Sequence, residues 1–167
     1  MRIDIKEERP GDVAAIRDLN QRAFEQDQEA NLVDALRSNG GGLLSLVALV
    51  NRQIVGHILY TPVSIGNLRG AALGPMAVLP ELQRQGIGSQ LVEGGNRQIK
   101  QGGCPFIIVV GHPEFYRRFG FTPAGARGIT CEWNLPDDAF MVLVLDEAEM
   151  KGVSGLAKYR DEFSSVT

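Results

Sequence analysis

Cysteine is scarce in this sequence, with only Cys104 and Cys131 among 167 residues. Neither lies in a CxxC motif or near histidines at metal-ligand spacing, so the sequence predicts no metal site and no disulfide framework. We expect both thiols to be reduced and to pack in the core. A nucleophile of a ping-pong enzyme and a disulfide are the alternatives.

Long apolar runs and an excess of basic charge are also missing. No apolar stretch reaches the roughly 18 residues of a membrane span. The first segment, MRIDIKEERPGD, is too charged for a signal peptide, so we expect a cytoplasmic protein without membrane contacts. Seventeen Lys and Arg against twenty Asp and Glu give a net charge of -3. This charge argues against a nucleic-acid partner and is compatible with a cationic substrate.

Hydrophobic periodicity predicts strands and helices in alternation along a chain of single-domain length. Ile3 and Ile5 indicate a first strand. Two helices follow, one ending near Phe24 and one at about 29–38, and a later helix is expected at 87–101. Further strands are expected at 44–50, 53–65, 71–78, 106–110, 129–133 and 140–145. The strand at 106–110 is apolar throughout, which is typical of a strand covered on both faces.

The loop at 83–88 is the feature around which the chain is organised. It follows an apolar strand that ends at Pro80, and it leads directly into the helix that Gly102 and Gly103 end. A glycine-flanked loop before a helix leaves backbone N–H groups unpaired, and the helix dipole adds partial positive charge there. The pattern therefore predicts a binding site for an anion.

The usual nucleotide fingerprints do not fit this loop. Leu91 stands where a Rossmann motif requires a third small residue, and no lysine precedes Ser89 as a Walker A motif requires. A nucleotide-binding α/β domain is therefore a weak alternative. The pattern Gln83-x-x-Gly86-x-Gly88 instead resembles the pyrophosphate-binding motif of the GNAT superfamily of N-acetyltransferases.

A second segment carries the same resemblance. The strand at 106–110 is followed by GHP and by EFYRRFGF, which resembles the family's strand and helix with the pattern FYxxxGF. The resemblance covers about residues 3–145 and is especially close to bacterial predicted N-acetyltransferases that share GHPxFYxRFGF. It implies an α/β fold of mixed α+β type, with a central mixed sheet that is splayed between its fourth and fifth strands and flanked by helices.

The resemblance also implies acetyl-CoA as cosubstrate, with no metal. The loop amides would receive its pyrophosphate, and the main chain of the preceding strand would bind its pantetheine arm. Gly74-Pro75 would supply a bulge that opens the sheet, whereas an edge strand or a loop is the other interpretation of the proline. Arg84 either contacts a phosphate or is an ordinary exposed arginine. The expected cofactor-binding residues are Met76, Ala77, Val78, Gln83, Arg84, Gln85, Gly86, Ile87, Gly88, Ser89 and Tyr116.

Family resemblance assigns two catalytic roles. The Val78 N–H would face the thioester oxygen, and the Tyr116 hydroxyl would protonate the leaving thiolate, unless that tyrosine only packs on its helix. The base is open, because residues 71–78 contain no ionisable side chain where some members carry a glutamate. His112, Glu29 and Glu114 are the candidates, directly or through water. The other histidine, His57, is expected in the core or lining the cleft.

The sequence thus favours an acetyl-CoA-dependent N-acetyltransferase that moves an acetyl group to a primary amine by direct attack in a ternary complex. The acceptor would be a small-molecule or peptide amine. An acidic wall on the first two helices would attract it, although a solvated helix face is the alternative. That wall would consist of Glu25, Asp27, Glu29 and Asp34. The missing strand glutamate favours a second class, a CoA-binding sensor or interaction module with a catalytically weak cleft.

The chain is expected to divide at residue 146. Residues 1–146 would form the acetyltransferase domain, and 147–167 a C-terminal arm. That arm would pack on its own domain or on the second subunit of a homodimer, with Tyr159 and Phe163 as its anchors.

Overall fold

The computed structural model describes residues 1–165. The strands are β1 (Asp4–Glu7), β2 (Leu44–Val50), β3 (Gln53–Ile65), β4 (Leu68–Val78), β5 (Phe106–Val110), β6 (Thr122–Pro123), β7 (Ile129–Cys131), β8 (Phe140–Val144) and β9 (Gly155–Lys158). The helices are α1 (Val13–Phe24), α2 (Gln28–Ser38), α3 (Ile87–Gln101), α4 (Pro113–Arg117) and α5 (Glu147–Met150), and short 3-10 turns lie between several elements.

One mixed sheet contains all the strands of the described residues. Its order is β1-β2-β3-β4-β5-β8-β6, and β9 joins the far end of β3 and pairs with β7. β4 and β5 are parallel, whereas β1 to β4 and the pair β5 and β8 are antiparallel. The mixed α/β fold expected from the sequence is therefore confirmed.

The sheet opens between β4 and β5. The two strands pair only where Ala71–Leu73 lie beside Ile107–Val109. β5 ends one residue later, while β4 continues to Val78 along β3. At the start of the splay, Gly74 and Pro75 of β4 stand opposite the single residue Leu59 of β3, which is a β-bulge. The bulge interpretation of Gly74-Pro75 is confirmed. β4 as a whole lies between β3 and β5, although its pairing with β5 ends at Leu73, directly before the bulge.

The two faces of the sheet bury separate hydrophobic clusters. α3 packs on one face, where Gly56 gives it room: a Cβ there would lie 3.0 Å from both Ile87 and Leu91 side chains. α1 and α2 pack on the other face, together with the segments around β7 and β9. A residue's cluster therefore shows on which side of the sheet it lies.

Three short elements were not predicted: β6, α5 and β9. The reason is their length of two to four residues, because such segments form through tertiary pairing and leave too few residues for a periodic pattern. Three predicted strand boundaries also differ. β4 begins at Leu68 rather than residue 71, β7 ends at Cys131 rather than residue 133, and β8 ends at Val144 rather than residue 145.

Candidate active site

The loop before α3 leaves three backbone donors free at the helix N-terminus. The first helical hydrogen bond runs from the Gln90 N–H to the Gly86 oxygen at 3.1 Å, so the amides of residues 87, 88 and 89 have no acceptor within the helix. Gly86 has φ of +90°, and no atom lies within 4 Å of the position that a Cβ would take. The loop therefore offers several N–H donors beside open space, which suits an anion.

Two side chains tie this loop to its neighbours. Gln83 Nε2 donates to the Val78 carbonyl oxygen at 3.1 Å, which fixes the loop to the end of β4. Arg118 Nη2 donates to Ser89 Oγ at 3.0 Å, and its guanidinium lies over the rings of Phe115 and Phe119. Both contacts hold the loop in place, and the second brings a positive charge to it.

The end of β4 turns backbone N–H groups toward the opening in the sheet. The Leu79 N–H donates to the Val55 oxygen of β3 at 2.9 Å. Because donors alternate sides along a strand, the N–H groups of Val78 and Met76 face the opposite side, where β5 has already ended. These donors lie along the splay.

Tyr116 stands on α4 with its ring buried against the splay. Its ring centroid lies 5.7 Å from that of Phe121 and 5.0 Å from that of Phe115, and only 7% of the residue is exposed. A side chain at Gly111 would overlap the Tyr116 ring, so that glycine makes the position possible. Burial raises the pKa of Tyr116 to about 12. The hydroxyl therefore stays protonated at neutral pH and can donate a proton.

A cleft of about 1300 Å³ passes through the splay from one face of the sheet to the other. On the α3 side it is lined by the loop, by Met76 and by the aromatic residues of α4. On the α1 and α2 side it is lined by Trp133, Leu135, Tyr159 and Phe163. We call the loop at 83–88 the anion loop. A bound molecule can thus reach from the anion loop to the opposite face of the sheet.

Most of the predicted site residues line this cleft. The group comprises Glu29, Met76, Val78, Gln83, Arg84, Gly86, Gly88, Ser89, His112, Glu114 and Tyr116. Ala77, Gln85 and Ile87 are not among the lining residues: Ala77 and Ile87 are buried, and Gln85 is an exposed residue of the loop. Their expected contacts with a cofactor stay predictions.

The expected acidic wall is reduced to one carboxylate. Asp34 forms ion pairs with Arg17 at 2.6 Å and with Arg37 at 3.3 Å. Asp27 accepts a hydrogen bond from Gln21, and the exposed Glu25 directly follows α1. Of the four acidic residues, only Glu29 lines the cleft, where it accepts a hydrogen bond from Gln26 Nε2 at 2.9 Å.

His57 is a core residue away from the cleft lining, one of the two placements expected for it. It is fully buried, and its Nε2 lies 2.9 Å from Ser45 Oγ, which donates in turn to Glu8 Oε1 at 2.9 Å. Burial lowers the pKa of His57 to about 4, although the Glu8 carboxylate partly opposes this shift. The side chain is therefore neutral in the folded protein.

Several residues of the cleft were not found by sequence reasoning. Phe24 ends α1, and Trp133 and Leu135 lie in the segment after β7. Their only signal is that they are large apolar residues near segment ends, which is not specific. Tyr159 and Phe163 were expected only as anchors of the arm. Within residues 1–165, no group of three or more His, Cys, Asp or Glu side chains could hold a metal ion, and no helix is long and apolar enough to cross a membrane.

A mixed sheet that splays beside a bulged strand, with a loop of free backbone N–H groups at the splay, is typical of acetyltransferases of the GNAT family, and the chain belongs to that family. The family model described as acetyltransferase (GNAT) domain matches residues 42–123. The uncharacterized N-acetyltransferase YhbS of Escherichia coli K12 is 34% identical over 163 residues, which is 96% of this chain and 98% of that protein.

Two solved structures extend the similarity to three dimensions. The crystal structure of E. coli YhbS in complex with CoA has a TM-score of 0.94 and 34% identity, and the match covers 98% of this chain and 93% of that one. A GNAT family acetyltransferase from Brucella melitensis in complex with acetyl-CoA has a TM-score of 0.81 and 33% identity, with 97% and 98% covered.

Proposed function

We propose that the protein is an acetyl-CoA-dependent N-acetyltransferase that acetylates a primary amine by direct attack in a ternary complex. The observation that carries this proposal is the continuous cleft, which joins the anion loop to the opposite face through the splay. A cleft that is open toward both faces of the sheet gives the donor and the acceptor separate approaches, which supports direct attack without an acyl-enzyme. The similarity to proteins whose structures contain CoA or acetyl-CoA supports the choice of donor.

The loop would hold the donor through its phosphates. The amides of residues 87–89 supply N–H donors, and Arg84 and Arg118 supply positive charge. The pantetheine arm would lie along β4, beside the N–H groups that face the splay. We assign the thioester oxygen to the Val78 N–H, because this donor faces the splay. One such donor is typically worth about 10²- to 10³-fold in rate.

Transfer moves two protons and exchanges one bond. The neutral amine attacks the thioester carbon, the C–N bond forms, and the C–S bond breaks. Tyr116 donates its proton to the leaving sulfur and regains one from solvent afterwards; its raised pKa keeps the hydroxyl protonated until that step. The proton released by the amine goes to His112 or Glu29, directly or through water, since both side chains line the cleft.

The first test is calorimetric titration of acetyl-CoA into the wild type and Gly86→Glu. Gly66→Glu is the matched control, because Gly66 also has a positive φ and open space around it, but it lies in the turn between β3 and β4. We expect binding by the wild type and by Gly66→Glu. Repulsion between the new carboxylate and the pyrophosphate should weaken binding by Gly86→Glu at least about 100-fold.

Turnover separates the enzyme from the CoA-binding sensor. Release of free CoA thiol is measured with a panel of primary amines. Acetyl-CoA binding without turnover of any amine would favour the sensor, whose supporting observation is the lack of an ionisable residue at positions 71–78. Failure of the folded wild type to bind acetyl-CoA would contradict both.

A further inference from the structure

The half of the cleft on the α1 and α2 side has its own chemistry. We define the acceptor chamber as the six lining residues on this side: Phe24, Glu29, Trp133, Leu135, Tyr159 and Phe163. Four separate segments bring them together, namely the end of α1, the start of α2 and the stretches after β7 and β9. Five of the six side chains are apolar or aromatic.

Three aromatic rings form one wall of the acceptor chamber. The Trp133 and Tyr159 ring centroids lie 4.8 Å apart, and those of Tyr159 and Phe163 lie 5.0 Å apart, both edge to face. The Tyr159 N–H donates to Glu132 Oε1 at 2.9 Å, which fixes the segment behind the wall. Tyr159 and Phe163 are almost fully buried, whereas Trp133 keeps part of its surface exposed. The wall is thus a rigid surface against which an apolar group can pack.

Charge is distributed unequally along the cleft. The basic lining residues are Arg84, in the loop, and Arg118, which directly follows α4; both lie on the side assigned to the phosphates. Glu29 is the charged member of the acceptor chamber, and Glu114 lies in the first turn of α4. A cationic amine is attracted to Glu29 and gains contact with the aromatic wall, whereas an acceptor carboxylate meets no cation in the chamber.

From this chemistry we propose that the preferred acceptor is a primary monoamine with an aromatic or bulky apolar body and no carboxylate. Its body packs on Trp133 and Leu135, and its ammonium group is drawn in by Glu29 before it loses the proton. Trp133 and Glu29 are then the residues that determine acceptor specificity. This inference rests on the proposed function and names its substrate class.

Four amines test the inference on the wild-type protein. 2-Phenylethylamine has the proposed features, ethylamine lacks the ring, phenylalanine adds a carboxylate to the same body, and spermidine carries further amino groups in place of the ring. We expect kcat/KM for 2-phenylethylamine to exceed that for ethylamine by about 10- to 100-fold, because burial of a ring is worth this much. A comparable excess over phenylalanine is expected, since its carboxylate would be desolvated without a partner. Equal or higher values for ethylamine, phenylalanine or spermidine would overturn the inference.

Two variants examine the residues themselves. Trp133→Ala and Glu29→Gln should raise KM for 2-phenylethylamine about tenfold or more, while the Kd for acetyl-CoA stays within about twofold. Leu156→Ala is the control, because Leu156 is a large apolar residue that is 50% exposed and does not line the cleft. Unchanged KM in both variants would contradict the assignment even if the substrate preference held.

Failure of the inference and failure of the proposed function give different results. Acetylation of amines with the opposite preference rejects only the acceptor class. If no amine is acetylated, the proposed function fails, and titration of 2-phenylethylamine into the CoA-loaded protein still measures binding in the acceptor chamber. Binding that Trp133→Ala weakens would support the chamber chemistry, and no binding would overturn it.

Discussion

The hydroxyl of Tyr116 is the single group whose removal should separate chemistry from binding. We predict that Tyr116→Phe lowers kcat by about 10²-fold or more and leaves the Kd for acetyl-CoA nearly unchanged, because the ring keeps its packing on Phe115 and Phe121 while the proton donor is lost. Steady-state kinetics across pH and calorimetry provide the measurement.

Tyr60→Phe is the matched control for this substitution. The Tyr60 hydroxyl donates to Asn96 Oδ1 at 2.7 Å and lies outside the cleft lining, so its loss should lower stability and spare kcat. Full turnover by Tyr116→Phe at every pH would remove the acid role.

A pH effect on stability belongs to His57. The pKa of this residue is about 4 in the folded protein, against 6.5 ordinarily, so between these values the unfolded chain binds a proton that the folded chain does not. The contribution of His57 to stability is therefore fully present above pH 6.5 and is lost as the pH falls toward 4. We predict a loss of about 2 kcal/mol between pH 7 and pH 5.

Urea unfolding of the wild type, His57→Gln and His112→Gln at these two pH values tests this prediction. His57→Gln should remove most of the dependence. His112→Gln, which alters the exposed histidine, should retain it. An equal loss of the free energy of unfolding between pH 7 and pH 5 in all three proteins would show that another group causes the pH dependence.

Two adjacent glycines of α3 should respond with opposite signs when changed to alanine. A Cβ on Gly95 would overlap the Tyr60 ring, whereas the nearest atom to a Cβ on Gly94 is Ile5 Cγ2 at 3.6 Å, an ordinary contact. We predict that Gly95→Ala lowers the free energy of unfolding by about 1–3 kcal/mol. Gly94→Ala should raise it by about 0.5–1 kcal/mol, because alanine is the better helix former.

Chemical unfolding of the two variants provides the comparison, and each serves as the control for the other. Equal changes of the same sign would mean that α3 does not approach β3 as closely as the structure has it.

Among the helices and strands, the long ones could be predicted from the sequence and the short ones could not. Residues 87–101 show their helical period, and residues 106–110 are an apolar run of strand length, so their limits match the structure. β9 has no such pattern. It forms because β3 extends beyond β2 and offers a free edge, where Ser64 and Ile65 pair with Lys158 and Ala157.

The C-terminal arm bears on the stability of the whole molecule. Phe163 is 8% exposed and belongs to the same buried cluster as Leu36 of α2. We predict that Phe163→Ala lowers the free energy of unfolding by about 3 kcal/mol, because it leaves a cavity between the arm and α2. Leu156→Ala, in the exposed part of the arm, should change it by less than about 0.5 kcal/mol.

Unfolding midpoints at several protein concentrations test whether the arm packs on its own domain. We expect midpoints that do not depend on concentration, because β9 pairs with strands of the same chain. Midpoints that rise with concentration would instead indicate folding coupled to association, as an arm exchanged between two subunits requires.

Residues close together in the chain were sufficient to predict the local features: the long helices and strands, the loop at 83–88 and the helix that carries Tyr116. In each of them, glycine, proline and apolar spacing act directly on the backbone. At Gly74-Pro75 the sequence left a bulge, an edge strand and a loop open, and strand pairing selected the bulge. Which acidic residue of the first two helices faces the cleft depends instead on how those helices pack on the sheet. The tertiary structure also decided that Trp133 and Tyr159, 26 positions apart, share one wall. Such contacts depend on strand pairing and packing between distant segments, which no local pattern encodes.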